Sequence, residues 1–460
     1  MPRLTRVCSV PLVLAASTIL AAPLVAQDAH YWTNQYGTRG NLLGGAVVGS
    51  VVDISALYYN PGAVALIEAP ELVATSKVFE ASDVSIRGAG QFDLKLGDLN
   101  LGVAPGFFGG LLPFKFLGNH VLGYSFVTRY QFDADLRAVG SGTGDLVGDP
   151  ALEDYFAELK IRTKLSESWA GLTWSAPLGP RFGFGVTGFA TIRSQNGRGT
   201  LNAQAFEPAS ASGAISLFDE GYKYFHYGVL AKLGVTYEWM GVSLGLTATT
   251  PRLKVLGKGE TVVNTIVAGQ DPDGDGTDDL LWLANVQQDL PVTYKSPWSL
   301  AGGAAYSFGK TGVHGTLEWF AAVPRYDVLA SEPFIGQSTG DSLRVLTAQE
   351  LNSVFNVGFG VEHAISPTFS LSGSFRSDYS AIKGEGRTDV SAATWNLYFV
   401  TVGSSFTLGG GELTLGLAYG FGNESTGDFF GDASDELIGD LPSDAQLEYR
   451  TVRFILAFSF

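Results

Sequence analysis

The chain closes on Thr451-Val452-Arg453-Phe454-Ile455-Leu456-Ala457-Phe458-Ser459-Phe460, where Val452, Phe454, Leu456, Phe458 and Phe460 stand two apart. The alternate positions are Thr451, Arg453, Ile455, Ala457 and Ser459, so one face of a period-two strand is apolar and the other, Ile455 apart, small or polar. A tilted strand of about 9–11 residues crosses a bilayer, and this facial split fits the wall of a closed membrane β-barrel. The pattern is longest at residues 225–239. There every odd position is apolar, while the even face carries His226, Gly228, Lys232, Gly234, Thr236 and Glu238. Aromatic residues close both ends of that stripe, as expected where a strand meets two membrane interfaces. Strands of soluble sandwiches are usually only about 5–6 residues long.

Working outward, the alternation gives fourteen strands, from 71–86 to 446–460 and including 180–206, 219–239, 241–258, 291–308 and 311–327. The even number suits a single-chain bacterial barrel. Short connections at 117–119, 179–180, 240, 309–310, 366 and 409–410 alternate with longer ones such as 138–157, 259–290, 328–349 and 424–445. Short periplasmic turns and long external loops then place both chain ends in the periplasm. The expected fold is all-β: a 14-stranded antiparallel transmembrane β-barrel over residues 71–460.

At the other end, Arg3 and Arg6 precede an apolar run that stops before Gln27 and Asp28, which reads as a signal peptide over residues 1–26. Cys8, the one cysteine, lies in that run, so disulfide chemistry is excluded from the mature chain. Composition agrees with a barrel: 59 glycines, 12% aromatic residues and only 16% charged ones. The formal charge of −16 becomes −18 without the two arginines of the leader, which argues against nucleic acid as a partner. Residues 27–70 are rich in Gly, Ala and Val, hold no sustained period and are too apolar for disorder. A compact plug inside the barrel would satisfy their backbone and fill a lumen that is otherwise an open pore.

Enzyme motifs fail in context. Gly183-Phe184-Gly185-Val186-Thr187-Gly188 fits a dinucleotide pattern and Gly241-Val242-Ser243-Leu244-Gly245 a nucleophile elbow, but each sits in an alternating strand with no helix after it. The five histidines have no metal-ligand spacing, and no catalytic residue or required cofactor is expected.

Three runs carry a resemblance: Gly37-Thr38-Arg39-Gly40-Asn41-Leu42-Leu43-Gly44-Gly45-Ala46, then Asp53-Ile54-Ser55-Ala56, then Tyr58-Tyr59-Asn60-Pro61-Gly62-Ala63. They resemble the N-terminal hatch of the FadL family of outer-membrane transporters for long-chain fatty acids and aromatic hydrocarbons. The family's Asn-Pro-Ala signature maps onto Asn60 and Pro61, with Gly62 at its third position, and Asp53 belongs to the same hatch motif. The resemblance implies a fourteen-stranded barrel plugged by a hatch, usually monomeric. It also implies passive diffusion of hydrophobic small molecules and a lateral exit into outer-membrane lipid near the third strand. The final Phe460 resembles the terminal aromatic that the barrel-assembly machinery reads. Two other readings stay open: a non-transporting surface barrel, such as an adhesin or phage receptor, and a porin for polar solutes.

Strand parity turns Arg129, Lys232, Arg376 and Arg453 inward, where one of them could hold a fatty acid's carboxylate or pair with acids such as Asp53, Glu318 and Asp378. The apolar runs Ala214-Ile215-Ser216-Leu217-Phe218 and Leu280-Leu281-Trp282-Leu283 are expected in the third and fourth external loops, which form the first hydrophobic groove in the FadL family. Such exposed patches often mark binding surfaces. Asp271, Asp273, Asp275 and Asp279 are spaced like the first half of an EF-hand loop, with Gly276 at its sixth position. They make calcium in the external loop 259–290 a candidate ligand, although Trp282 stands where the bidentate Glu belongs.

Overall fold

A computed structural model describes residues 29–50, 53–67, 72–87, 95–98, 104–112, 118–144, 153–208, 212–270, 279–382, 395–425 and 446–460. The early barrel strands are β1 (Leu72–Arg87), β2 (Ala104–Leu112), β3 (Val121–Gly144), β4 (Glu153–Pro177), β5 (Phe182–Glu207) and β6 (Ser212–Trp239). Next come β7, in two pieces (Val242–Thr249 and Leu253–Gln270), and β8, also in two (Asp279–Pro291 and Ser299–Phe308). The wall is completed by β9 (Thr311–Phe320), β10 (Val354–Ser366), β11 (Phe369–Asp378), β12 (Leu397–Leu408), β13 (Gly411–Ser425) and β14 (Gln446–Ser459). Each pairs antiparallel with its neighbour, and β1 pairs with β14, so the sheet has no free edge. Closure ends at the terminal residue: Phe460 N–H donates to Leu72 O (2.9 Å) and Leu72 N–H to Phe460 O (3.0 Å).

The fourteen-stranded closed barrel matches the sequence expectation, including the face each residue takes. On β14, Phe454, Phe458 and Phe460 face outward, while Thr451, Arg453, Ala457 and Ser459 are buried within. On β6, Phe225, Tyr227, Val229, Leu233, Tyr237 and Trp239 are exposed, while His226, Lys232 and Thr236 are buried.

Three elements depart from the reading. Strands 241–258 and 291–308 are not continuous; each breaks at a proline, Pro251 or Pro297, which has no N–H to give to a ladder. The expected strand 311–327 stops at Phe320, and Val323–Ala330 instead pairs with Leu346–Leu351 in a separate two-stranded sheet. The third departure is length. Strands β3, β4 and β6 run 24, 25 and 28 residues and begin or end beyond the expected 120–137, 158–178 and 219–239, while β5, at 26 residues, has the length expected of 180–206; all four exceed a single crossing. The run Ala214-Ile215-Ser216-Leu217-Phe218 therefore lies on β6, and Leu280-Leu281-Trp282-Leu283 on β8, rather than in loops.

Candidate functional site

Residues 29–50 and 53–67 fold inside the barrel, with a short helix at Thr38–Leu42, another at Ala56–Tyr59 and a 3-10 turn at Ala63–Leu66. Backbone bonds within the segment close its short turns, and the wall supplies further partners in three places.

The first is a clasp around residues 31–33. Arg129 Nη2 donates to Tyr31 O (2.6 Å), Arg376 Nε to Trp32 O (3.1 Å) and Nη2 to Thr33 O (3.1 Å), and Arg453 Nη1 to Thr33 O (2.6 Å). Asp378 accepts from Trp32 N–H (2.9 Å) and Thr33 Oγ1 (2.8 Å), and Glu318 accepts from Trp32 Nε1 (2.6 Å). Inward cations from β3, β11 and β14 and acids from β9 and β11 thus converge on three residues. Charge-assisted bonds of this kind are each worth about 1.5–3 kcal/mol. Three of the four sequence-predicted cations bond the segment's carbonyls, and Arg453 also pairs with Glu80 (2.8 Å). The fourth, Lys232, rests its ammonium over the Tyr58 ring at 4.5 Å and borders a small cleft with Tyr31, Trp32, Tyr58 and Glu318.

The second place is a recess for Asn60, Pro61 and Gly62. Asn60 Nδ2 faces Val48 O (2.8 Å), Val235 O (3.0 Å) and Thr236 Oγ1 (2.8 Å), while its Oδ1 accepts from Gly62 N–H (3.0 Å). Ser175 Oγ donates to Pro61 O (2.8 Å) and Thr187 Oγ1 to Leu57 O (3.1 Å). The wall here is built of glycine. A Cβ on Gly183 would fall 2.1 Å from Gly62 O, one on Gly185 2.3 Å from Pro61 O, and one on Gly245 1.9 Å from Val48 O. Gly183, Gly185 and Gly245, glycines of the two spurious enzyme motifs, thus serve close backbone approach. Gly62 itself has an ordinary helical φ of −67°. Its missing side chain matters instead, since a Cβ there would meet Gly234 O at 2.7 Å. Asp53 organises the segment from within: it accepts from Thr38 Oγ1 (2.9 Å), Arg39 N–H (3.0 Å) and Ser55 N–H (2.7 Å).

The third place is apolar. Tyr36, Leu43, Ile54, Leu57 and Val64 of the segment pack with Phe107, Val127, Trp169 and Phe189 of the wall. Tyr31 and Trp32 join Tyr222, Tyr224, Val292, Phe320 and Leu329 in a second cluster.

Sequence reading missed a buried ionic knot beside that second cluster. Glu167 accepts from Arg193 Nη1 (3.0 Å) and Trp169 Nε1 (2.6 Å) and also pairs with Arg252. Tyr294 lies between the two guanidinium groups, whose carbons stand 4.0 and 4.9 Å from its ring centre. Inward parity on β5 marks Arg193 in the sequence; Arg252 follows Pro251, where parity fails.

The two apolar runs meet through β7. Leu217 pairs with Ile266, which pairs with Trp282, and this row is turned outward; Phe218 pairs with Thr265, which pairs with Leu283, and this row is turned in. Phe218 packs with Leu201 and Val267, with Leu281 and Leu159 against them, while Ile215 and Trp282 stay exposed. Asp271, Asp273 and Asp275 lie outside the described residues and Asp279 opens the first piece of β8; among the described residues no cluster of metal-ligating side chains occurs.

No protein-family model and no curated protein matches the sequence. Solved structures do, and they show the fold, a closed antiparallel β-barrel. A Pseudomonas aeruginosa FadL homologue aligns with a TM-score of 0.57 at 13% identity, over 94% of this chain and 99% of that one. The Pseudomonas putida toluene transporter TodX gives 0.55 at 13%, over 93% and 98%, and the Ralstonia pickettii toluene transporter TbuX gives 0.52 at 12%, over 92% and 98%. The chain has the FadL-type fold, the one its N-terminal motifs resemble.

Proposed function

We propose that this protein is an outer-membrane channel that admits hydrophobic compounds, long-chain fatty acids or hydrocarbons, by passive diffusion through a barrel plugged by its N-terminal segment. The observation that carries the reading is the lumen itself, occupied by a segment fixed through backbone contacts and lined by aromatic and aliphatic side chains. An apolar ligand gains free energy from contact with such a lining. The shared fold with a FadL homologue and two toluene transporters supports it, as does an outer wall whose exposed face is apolar where it meets lipid.

The test is uptake of radiolabelled oleate and toluene by outer-membrane-bearing cells that lack channels for them, with and without this chain. Uptake above empty-vector cells supports the channel. Swelling of proteoliposomes in small sugars with no oleate or toluene uptake would indicate a porin; neither activity, with phage or surface binding, a surface barrel.

A further inference from the structure

The outer face of the wall changes character at one level of β4, β5 and β6. On β6 the exposed stripe rises through Val229 to Tyr227 and Phe225, the aromatic end expected at the upper interface, and the next outward residue is Lys223. On β5 the outward residues pass from Ala190 and Ile192 through Ser194 to Asn196 and Arg198; on β4 they pass from Ala170 through Ser168 and Ser166 to Lys164 and Arg162. The ladder sets these residues in rows. Ser166 opposes Ser194, which opposes Phe225. In the next row outward Lys164 opposes Asn196 and Asn196 opposes Lys223; in the row beyond, Arg162 opposes Arg198 and Arg198 opposes Gly221.

That last row sets two arginines directly across from one another, an arrangement that destabilises a strand pair unless an anion lies between them. The acids nearby stand to either side. Arg162 pairs at 3.8 Å with Asp135 and Lys164 at 3.5 Å with Asp133, both on β3, and Lys223 pairs at 3.9 Å with Glu260 on β7. Each of these separations is too long for a hydrogen bond. Of the four cations only Arg198 is closely held, its Nε and Nη2 donating to Asp219 of β6 at 2.7 and 2.5 Å. Arg162 thus has its acid on the β3 side and Arg198 on the β6 side, and no outward residue between them on β4 or β5 is acidic. The four side chains are 65, 66, 55 and 60% exposed in the order Arg162, Lys164, Arg198 and Lys223, so their donors are open to a ligand outside the wall.

From the membrane upward the surface is therefore layered: apolar side chains, then serine hydroxyls, then a cluster of cations continuous with the lipid-facing wall. A bisphosphorylated glycolipid carries acyl chains, sugar and phosphate in the same order. Guanidinium and ammonium groups hold phosphate oxygens by charge-assisted bonds, and basic residues at a membrane surface attract anionic headgroups. We propose that Arg162, Lys164, Arg198 and Lys223 form a binding site for the phosphorylated headgroup of an outer-leaflet glycolipid, the lipid A part of lipopolysaccharide. A phosphate between Arg162 and Arg198 would relieve their like-charge opposition, while Ser166 and Ser194 face the sugar. The proposal rests on the outer-membrane location in the channel reading above and is independent of transport.

Native mass spectrometry of the full chain, expressed in cells, extracted and delipidated in detergent, tests it. The protein is titrated with lipid A in the presence of EDTA, so that any phosphate bound is held by side chains and not through divalent ions. Wild type should take up one lipid A, and replacing all four cations by Gln should weaken binding by at least about tenfold. Removing both phosphates from the lipid should do the same to wild type. Arg450→Gln with Lys310→Gln, exposed cations on other parts of the wall, is the control and should bind as wild type. Slow gel migration that changes on heating confirms that each variant is folded; if the quadruple variant is not, Arg162→Gln alone should still weaken binding severalfold. Equal binding by wild type and the folded cation variants, or by lipid A with and without its phosphates, overturns the site. Displacement of lipid A by an equal concentration of phosphatidylglycerol overturns its assignment to a glycolipid. Lipid A bound through the four cations by a chain that takes up neither oleate nor toluene overturns the channel reading and leaves the site standing; uptake with no lipid A bound does the reverse.

Discussion

A single hydrogen in place of a methyl group decides how the lumen is filled. Gly245 leaves room for Val48 O and Asn60 Nδ2, which a Cβ would meet at 1.9 and 2.7 Å, whereas a Cβ on Gly188 would meet nothing within 4 Å. Gly245→Ala should therefore destabilise the folded protein by about 1–3 kcal/mol through overpacking, while Gly188→Ala should leave the urea midpoint of the detergent-folded barrel unchanged. Equal midpoints for the two variants would show that the recess yields. Charge at the residue scale gives a second expectation. Glu167 is the one carboxylate between Arg193 and Arg252, all three buried. Glu167→Gln keeps the shape but leaves two guanidinium groups uncompensated, and should cost about 3 kcal/mol on the same urea scale. A midpoint within error of wild type would mean that water or counterions reach the knot.

At the scale of the strand, period-two alternation was readable because lipid on one side and a packed lumen on the other impose opposite demands on successive residues. That is why the wall of 225–239 and the facing of Arg129, Lys232, Arg376 and Arg453 could be assigned before the fold was seen. The breaks in β7 and β8 were equally present as Pro251 and Pro297, and were overlooked because the apolar pattern resumes beyond each. The upper ends of β3, β4 and β6 were hidden for another reason. Above the lipid both faces turn small or polar, as in Gly140, Ser141, Gly142 and Thr143 on β3, so alternation in hydropathy disappears while the ladder continues. Ion pairs stand on this outer face, including Arg198 with Asp219 (2.5 Å) and Lys164 with Asp133 (3.5 Å). Being exposed, they contribute little to stability and mark where the hydrocarbon ends. Nitroxides placed at Leu233→Cys and Asn196→Cys in reconstituted bilayers should report this boundary: relaxation by oxygen at the first and by an aqueous nickel chelate at the second. Oxygen-dominated relaxation at both would put the membrane edge higher on β5.

For the whole molecule, the barrel was legible and the manner of its filling was not. Residues 27–70 announce themselves as too apolar for a tail. Their anchoring depends on contacts more than 90 residues away, such as Thr33 with Arg453, which no local pattern encodes. The inward arginines admitted a role toward a ligand's carboxylate, and three of them instead bond the carbonyls of residues 31–33. On the plugged-barrel proposal, the clasp is the point on which closure turns. Replacing Arg129, Arg376 and Arg453 together by Gln removes the charge-assisted bonds but keeps side chains of polar character. The barrel wall, held by its own ladder, should still form and still show the slow gel migration change on heating that marks a folded barrel. The segment should loosen, so single-channel recordings in planar bilayers should show frequent open events with a raised ion conductance, against a quiet wild type. Deleting residues 29–67 should give a permanently open pore and sets the upper limit of that conductance. A triple variant as quiet as wild type, beside an open deletion variant, would assign closure to the glycine recess and the apolar clusters instead of the arginines.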